Sequence, residues 1–356
     1  MDTIPDTMDE NTVSPTNGTS DLSRLDPNGD VILRIESQHD NATTSFQVSS
    51  KVLRLASPYF VRMFGPCFQE GLKLLQGEFP VIDLNEDDAP SMSIVLNRRV
   101  TGCHYRGVCD TNVMTAERLA GLAVQCDKYD CVTALTFWFS VWFKSVGSVR
   151  ELSPEEFGFL LLAALLINDS GKFTEISERA LREVTIAFSS RWEQHEILTI
   201  LPTSIPGVSH IEVSAIAIRA DFQTGAITAC ITRTLRKFEA ELQAKCHPCH
   251  NTALSPKYCT SETRIAEYFA ILRKVELWPT AKPFGVCSVS DIVFRFTCAK
   301  ADLKHSCAAG TGCPLLTNLD ALSRRVDRIF RDTTGLCLHC IRKDDEWDEY
   351  QKCVHT

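Results

Sequence analysis

The sequence has little positive charge and lacks any segment that predicts membrane insertion or secretion. Its 356 residues carry 37 lysines and arginines against 45 aspartates and glutamates, a formal net charge of −8, whereas nucleic-acid-binding proteins normally present a basic face. The longest unbroken apolar run, Phe159 to Ile167, is too short to span a bilayer. Residues 1–10 have neither the basic nor the apolar part of a secretory signal. We therefore expect a cytoplasmic or nuclear protein without membrane contacts, and nucleic-acid binding is not expected.

Motifs of the common enzyme classes are also missing. The G-x-S-x-G nucleophile, the H-E-x-x-H zinc pattern, the Walker phosphate loop and the Rossmann glycine fingerprint do not occur. The acidic run Glu86-Asp87-Asp88 precedes a predicted helix, where carboxylates stabilise the positive end of the helix dipole. We predict no catalytic residues and no enzyme activity.

The first 28 residues are rich in Asp, Thr, Asn, Ser and Pro and have few bulky apolar side chains. Such a segment buries too little apolar surface to offset the entropy of ordering. We expect residues 1–28 to form a disordered acidic tail.

The segment Phe46 to Phe64 predicts one strand followed by two helices. Phe46 and Val48 alternate with polar neighbours, as in a half-buried strand. Ser57 is a good N-cap for the second helix, and Pro58 follows at the first helical position, where its missing N–H costs nothing. The apolar faces of the two helices are Val52, Leu53, Leu55 and Ala56, and Tyr59, Phe60, Met63 and Phe64. The pattern of the segment favours packing, and it presents no recognisable nucleophile, base or phosphate-binding loop.

This segment is one of five that occur in the order typical of one interaction domain. The other four are Gly29-Asp30-Val31-Ile32-Leu33, Phe68-Gln69-Glu70-Gly71, Val81-Ile82-Asp83-Leu84 with Glu86-Asp87-Asp88, and Leu122-Ala123-Val124 with Asp127-Lys128-Tyr129. Together they resemble the BTB/POZ domain, and specifically the class of BTB proteins from filamentous fungi, over residues 29–145. The resemblance implies a helical cluster flanked by a short three-stranded sheet. Residues 98–113 depart from the family pattern, and their arginines and glycines predict an irregular loop.

From residue 146 onward the sequence pattern predicts helices throughout, so we expect the α+β class with a mainly α-helical C-terminal region. Two stripes with helical spacing predict a pair of helices packed as a hairpin, and further stripes follow. Ser153 to Glu156 has the pattern of a capping box ahead of a helix that is apolar on every side. The stripes are Leu119, Leu122, Cys126 and Tyr129; Val132, Leu135, Phe139 and Trp142; Ile227, Ile231, Leu235, Phe238 and Leu242; and Leu319, Leu322, Val326 and Ile329. We expect a BTB/POZ domain over 29–145, a helical region over 146–245 and a cysteine-rich helical region over 246–356.

Ten of the 16 cysteines lie in the last 111 residues. In a reducing compartment they are thiols or metal ligands before they are disulfides. Two C-x-x-C pairs, Cys246 with Cys249 and Cys337 with Cys340, predict a closed four-thiolate zinc site that staples distant elements. The alternative is that the cysteines pack as small apolar side chains, with no cofactor bound. The neighbouring donors are His250, Cys259, Cys287, Cys298, His305, Cys307, Cys313, Cys353 and His355.

A group of four arginines, Arg324, Arg325, Arg328 and Arg331, has the side chains needed to contact phosphate. Aspartates among them dilute the positive field, so we interpret the group as the solvated side of an amphipathic helix.

We predict a protein–protein interaction module that associates with itself or with another protein through the BTB domain. A second hypothesis is a substrate adaptor of a cullin-type ubiquitin ligase, because the resemblance implies that Phe68 and Glu70 match a hydrophobic-x-Glu pattern that docks a cullin. A third is a transcription-associated regulator with a structural zinc site. Direct DNA reading is not expected, since no two-cysteine, two-histidine finger spacing occurs. Gly335-Leu336-Cys337-Leu338 with Cys340 resembles the C-terminal end of some fungal members.

Overall fold

The computed structural model describes residues 21–36, 42–84, 86–100, 114–147, 151–185, 189–192, 194–201, 258–278, 287–301 and 305–342, with isolated positions at 233, 236 and 240. The fold is mixed α+β, mostly helical, with one small four-stranded sheet. The chain divides into two compact units. The first comprises Met1–Asn112 with Val124–Phe139, and the second comprises Val113–Ala123 with Ser140–Thr356.

The sheet belongs to the first unit and has the strand order β1-β3-β2-β4. Its strands are β1 (Asp21–Arg24), β2 (Val31–Glu36), β3 (Thr43–Val48) and β4 (Val81–Asp83). β2 and β3 are antiparallel, whereas β1 runs parallel to β3 and β4 runs parallel to β2. Buried side chains alternate along β2, since Val31, Leu33 and Ile35 are all fully buried.

Two expectations about the start of the chain need correction. Asp21–Arg24 is a strand, so the prediction of a disordered tail is wrong for these residues, and the sheet has four strands instead of three. The physical reason is pairing with a distant partner: β1 lies along β3, and the N–H groups of Leu25 and Asp26 both donate to the carbonyl of Gln47 at 3.1 Å. Residues 1–20 lie outside the described part of the chain.

Between residues 50 and 147 the structure describes six helices. They are α1 (Ser50–Ala56), α2 (Pro58–Met63), α3 (Gln69–Leu75), α4 (Ala89–Val100), α5 (Ala116–Lys128) and α6 (Val132–Gly147). The predicted N-cap of α2 is confirmed, since Ser57 Oγ accepts the N–H of Phe60 at 3.2 Å. Asp88 caps α4 by accepting the N–H of Ser91 at 2.8 Å. Of the predicted loop, residues 98–100 are helical, and 101–113 lie outside the described residues.

An aromatic and carboxylate cluster closes the core of the first unit. The ring of Phe60 stacks on Tyr129 at 5.3 Å and on Phe64 at 5.7 Å between centroids. The buried Asp87 carboxylate accepts the Tyr129 hydroxyl and the Lys128 ammonium, the latter at 2.6 Å. Burial, and then the hydrogen bond to Asp87, raise the pKa of Tyr129. Asp87 therefore joins the beginning of α4 to the end of α5, and this pairing is structural because both partners are already engaged.

The second unit contains the helix predicted to be central. Its helices are α7 (Pro154–Leu166), α8 (Ser170–Glu183), α9 (Ser189–Trp192), α10 (Ser261–Lys274), α11 (Val289–Ala301), α12 (Pro314–Arg331) and α13 (Leu338–Arg342). The capping box on α7 is confirmed, with Ser153 and Glu156 bonded reciprocally. Every residue from Phe157 to Leu165 is buried. Among the residues described, no helix combines the length and the apolarity that crossing a membrane requires.

The three helices α10, α11 and α12 share one hydrophobic core. Its buried members are Tyr268, Leu272, Leu277, Cys287, Val289, Ile292, Phe296, Cys313, Leu315, Leu322 and Val326. The arginines of α12 are exposed, and the side chains of Arg324 and Arg331 donate to main-chain carbonyls of their own helix. They form the solvated side that we interpreted from the sequence. The predicted helix from Ile227 to Leu242 lies almost wholly outside the described residues.

Candidate functional site

Helix α3 presents an apolar face to solvent. Phe68 is its N-cap, and Leu72 and Leu75 follow at helical spacing, so the three side chains lie on one face of the helix. Their side chains are 45–74% exposed. Glu70 stands in the first turn and is half-buried. We call Phe68, Leu72 and Leu75 the α3 stripe.

The position of α3 is fixed by a close backbone approach. A Cβ atom on Gly71 would lie 2.0 Å from the carbonyl oxygen of Gly65, so only glycine fits at this point. On the helix surface Gly71 lies beside the α3 stripe, so this contact fixes the helix while the side chains of the stripe stay exposed. Other large apolar side chains of the same unit are also exposed: Leu55, Val61, Phe79 and Val81. These exposed apolar side chains are not used for packing within the first unit, and exposed apolar patches of this kind commonly mark interaction sites.

The cysteines predicted to bind zinc are only partly placed. Cys246 and Cys249 lie outside the described residues. Cys337 is buried immediately before α13, and Cys340 is half-buried within it. The predicted four-thiolate site thus stays a prediction.

A different set of donors comes together in the second unit. Cys259, His305, Cys307 and Cys313 place one ligand atom each so that all four atoms lie within 4.8 Å of one another. The Sγ atoms of Cys259 and Cys313 are 3.5 Å apart, and Nε2 of His305 is 3.2 Å from Sγ of Cys313. We call these four residues the Cys/His cluster. Its geometry is that of a group that could hold a metal ion.

Helix starts and tight turns bring these four residues together. Cys259 directly precedes Thr260, the N-cap of α10, and Cys313 is itself the N-cap of α12. Between Cys307 and Cys313 the chain reverses through two turns: the N–H of Gly310 donates to the carbonyl of Cys307, and the N–H of Cys313 donates to the carbonyl of Gly310. Gly310 has a φ of 56°, which favours glycine.

The imidazole of His305 is buried and oriented by a carboxylate. Its side chain is 1% exposed, and Nδ1 is hydrogen-bonded to Glu267 from α10. This bond leaves Nε2 directed at the Cys313 sulfur. A carboxylate on the far nitrogen is the arrangement that orients histidine ligands in metalloproteins.

The electrostatics of the cluster differ from one thiol to the next. Burial raises the pKa of Cys259 to about 12, against the effect of the Arg264 guanidinium, which lies 3.6 Å from its sulfur. Burial also acts to raise the pKa of Cys307, but hydrogen bonds, first from the backbone N–H groups of Cys259 and Ala309, lower it to about 7. Hydrogen bonding therefore favours the thiolate of Cys307, whereas burial favours the neutral thiol of Cys259.

Sequence reasoning missed this set because it gave most weight to the C-x-x-C pairs. The signal that was present is His305-x-Cys307 with Cys313 six residues further on, and Cys259 lies 46 residues before His305. Such a spread set has no fixed spacing rule. Only the folded chain shows that these donors converge.

Two features thus remain as starting points for function: the α3 stripe in the first unit and the Cys/His cluster in the second. Each is built from residues of one compact unit. Comparison of the chain with models of known protein families, with curated proteins and with solved structures finds no significant match.

Proposed function

We propose that the first unit is a protein–protein interaction module of the BTB/POZ type and that its partner is a second copy of this chain. The order of its elements supports the proposal. A β2–β3 hairpin, the α1–α2 pair, α3, β4 and α4 fall on the segments whose sequence resembles that domain, and so do the parts of α5 and α6 that belong to this unit.

The observation that carries the proposal is the α3 stripe. Burying apolar surface is favourable by about 25 cal/mol per Å², and exposed apolar patches commonly mark interaction surfaces. In a two-fold dimer each copy offers the same patch to the other, so a self-complementary apolar stripe is sufficient and no second recognition site is needed.

Leu75→Glu is expected to weaken self-association by at least about tenfold, because it places a charge at the most exposed position of the α3 stripe. The measurement is molar mass against concentration by light scattering, starting from a protomer of 39.8 kDa. Phe294→Glu is the matched control, since Phe294 is equally exposed on α11 in the second unit. A wild-type protein that remains monomeric at every concentration would reject self-association.

A second candidate function is adaptor of a cullin-type ubiquitin ligase. The specific observation in its favour is that Phe68 is half exposed and Glu70 follows two residues later in the first turn of α3. Both side chains of the hydrophobic-x-Glu pattern are therefore within reach of a partner.

For this candidate we expect a cullin N-terminal fragment to retain the wild-type protein and to lose Phe68→Ala and Glu70→Lys in a pull-down. The lost contacts are an apolar anchor and a charge, and truncating a residue at an energetic hot spot of an interface costs about 2 kcal/mol or more. Phe79→Ala is the control, because it removes an exposed phenylalanine outside the pattern. Undiminished capture of Glu70→Lys would reject this contact.

We also propose that the second unit carries a structural zinc ion. Three thiols and one imidazole make a donor set that zinc prefers. Four protein donors would leave no open position for a substrate, so the ion would stabilise the fold and would not catalyse. The exposed, self-bonded arginines of α12 add no support for nucleic-acid contact, so a transcription-associated role would depend on protein partners.

A further inference from the structure

We infer that the ligands of this ion are Cys259, His305, Cys307 and Cys313, and that the ion ties the beginnings of α10 and α12 to the segment between α11 and α12. The inference rests on the proposed structural zinc but assigns it to a set other than the two C-x-x-C pairs. Three stretches of chain supply the four donors, so binding would restrain all three.

The distances between donor atoms fit a tetrahedral zinc ion after small adjustments. With Zn–S of about 2.3 Å and Zn–N of about 2.0 Å, ideal tetrahedral angles separate two sulfurs by about 3.8 Å and a sulfur from a nitrogen by about 3.5 Å. The corresponding distances are 3.5 Å between Cys259 and Cys313 and 3.2 Å between Cys313 and His305. A disulfide requires about 2.05 Å, so the pair is arranged as two thiols.

Helix starts fix the positions of two of the four donors. Cys313 is the N-cap residue of α12, a helix of 18 residues, and Cys259 stands one residue before the N-cap of α10, a helix of 14 residues. Because α10 and α12 share one hydrophobic core, their packing brings the two sulfurs together before a metal binds.

The surrounding side chains complete the site. Glu267 engages Nδ1 of His305 and so assigns Nε2 to the metal. Arg264 is buried, donates to the Cys259 carbonyl at 3.0 Å and places positive charge near the Cys259 sulfur. Zinc with three thiolates and a neutral imidazole has a net charge of −1, and a guanidinium beside it offsets part of that charge.

The zinc ion would also hold together part of the hydrophobic core that α10, α11 and α12 share. Cys313 belongs to the buried core of α10, α11 and α12, and Cys259 and Cys307 pack against it. The segment from His305 to Cys313 contains only a short 3₁₀ turn, Gly310–Gly312. Zinc would therefore fasten a part of this core that lacks a helix of its own.

The test is metal analysis of the full-length protein, purified under reducing conditions without chelators, by inductively coupled plasma mass spectrometry. We expect about one zinc per chain in the wild type, and less than a tenth of that in Cys259→Ser and in Cys313→Ser. Cys337→Ser and Cys340→Ser should keep their zinc. Cys298→Ser is the matched control, because Cys298 is an exposed cysteine of α11 outside the cluster.

A variant that simply fails to fold would also lose zinc, so a second measurement is needed. Glu267→Gln keeps all four ligands and changes a partly exposed side chain. We expect unchanged secondary structure by circular dichroism and a zinc affinity lower by about tenfold in competition with a chelator. Replacing zinc by cobalt should give the absorption of a tetrahedral site with three sulfurs.

The outcomes separate the two proposals. A wild-type protein without metal would overturn both, and so would an intact mass showing a Cys259–Cys313 disulfide in place of the ion. Zinc that is lost in Cys246→Ser and Cys337→Ser but kept in Cys313→Ser would support a structural zinc and overturn the ligand set inferred here. Zinc lost only in the Cys/His cluster variants would support both.

Discussion

Phe60→Asp is expected to unfold the first unit, whereas Phe79→Asp should leave its stability nearly unchanged. Phe60 is 2% exposed and stacks between Tyr129 and Phe64. Phe79 is 63% exposed and has no such role. The two substitutions are chemically identical, so the difference between them measures burial alone.

The magnitude follows from two costs that add. Deleting a buried phenylalanine ring typically costs about 3 to 5 kcal/mol, and an unpaired carboxylate in its place adds several more unless it takes up a proton. The total approaches the whole stability of an ordinary domain, about 5 to 15 kcal/mol. Met63→Asp should act in the same direction but less strongly, because Met63 is only half-buried.

Because the chain has two compact units, the measurement must be local. Hydrogen exchange followed by mass spectrometry reports α1, α2 and α5 separately from α7 and α8. Loss of protection in the first group with little change in the second is the expected pattern for Phe60→Asp. A soluble variant with wild-type protection throughout α1 and α2 would contradict the core assignment of Phe60.

Local signals in the sequence predict much of this fold because their causes are local. Ser57 with Pro58 starts α2, Asp88 starts α4, and the Ser153–Glu156 capping box starts α7. Each depends on residues within one turn of the helix it begins. The apolar stripe from Leu119 to Tyr129 is buried as predicted for the same reason, since a period of 3.6 residues is visible in a short window.

Features that depend on distant partners could not be predicted in this way. Strand β1 has the sequence Asp-Leu-Ser-Arg, which carries no clear strand pattern, and it is held by pairing with β3 about 20 residues further on. The Cys/His cluster is similar, because Cys259 and Cys313 are 54 residues apart in the chain. A C-x-x-C pair attracts attention by its spacing, whereas convergence of single donors depends on how α10 and α12 pack.

Gly335→Ala is expected to destabilise the second unit by about 3 kcal/mol, through overpacking and lost hydrogen bonds. A Cβ atom at this position would lie 1.9 Å from the main-chain oxygen of Thr174, on α8. The Thr174 oxygen belongs to the main chain and cannot rotate away as the end of a flexible side chain could. The backbone of the segment before α13 would therefore have to move. Two hydrogen bonds depend on that contact: the N–H of Leu336 donates to Ser177 Oγ at 2.7 Å, and Thr174 Oγ1 donates to the Leu336 carbonyl at 3.0 Å.

Gly147→Ala is the matched control for this prediction. Nothing lies within 4 Å of a Cβ atom there, and the residue ends helix α6, where alanine is favoured over glycine by up to about 1 kcal/mol. Urea unfolding monitored by circular dichroism should therefore show a lower midpoint for Gly335→Ala and an equal or higher one for Gly147→Ala. Equal midpoints for Gly335→Ala and the wild type would contradict this docking of the segment carrying Cys337 on α8, because a methyl group at residue 335 overlaps the Thr174 carbonyl there.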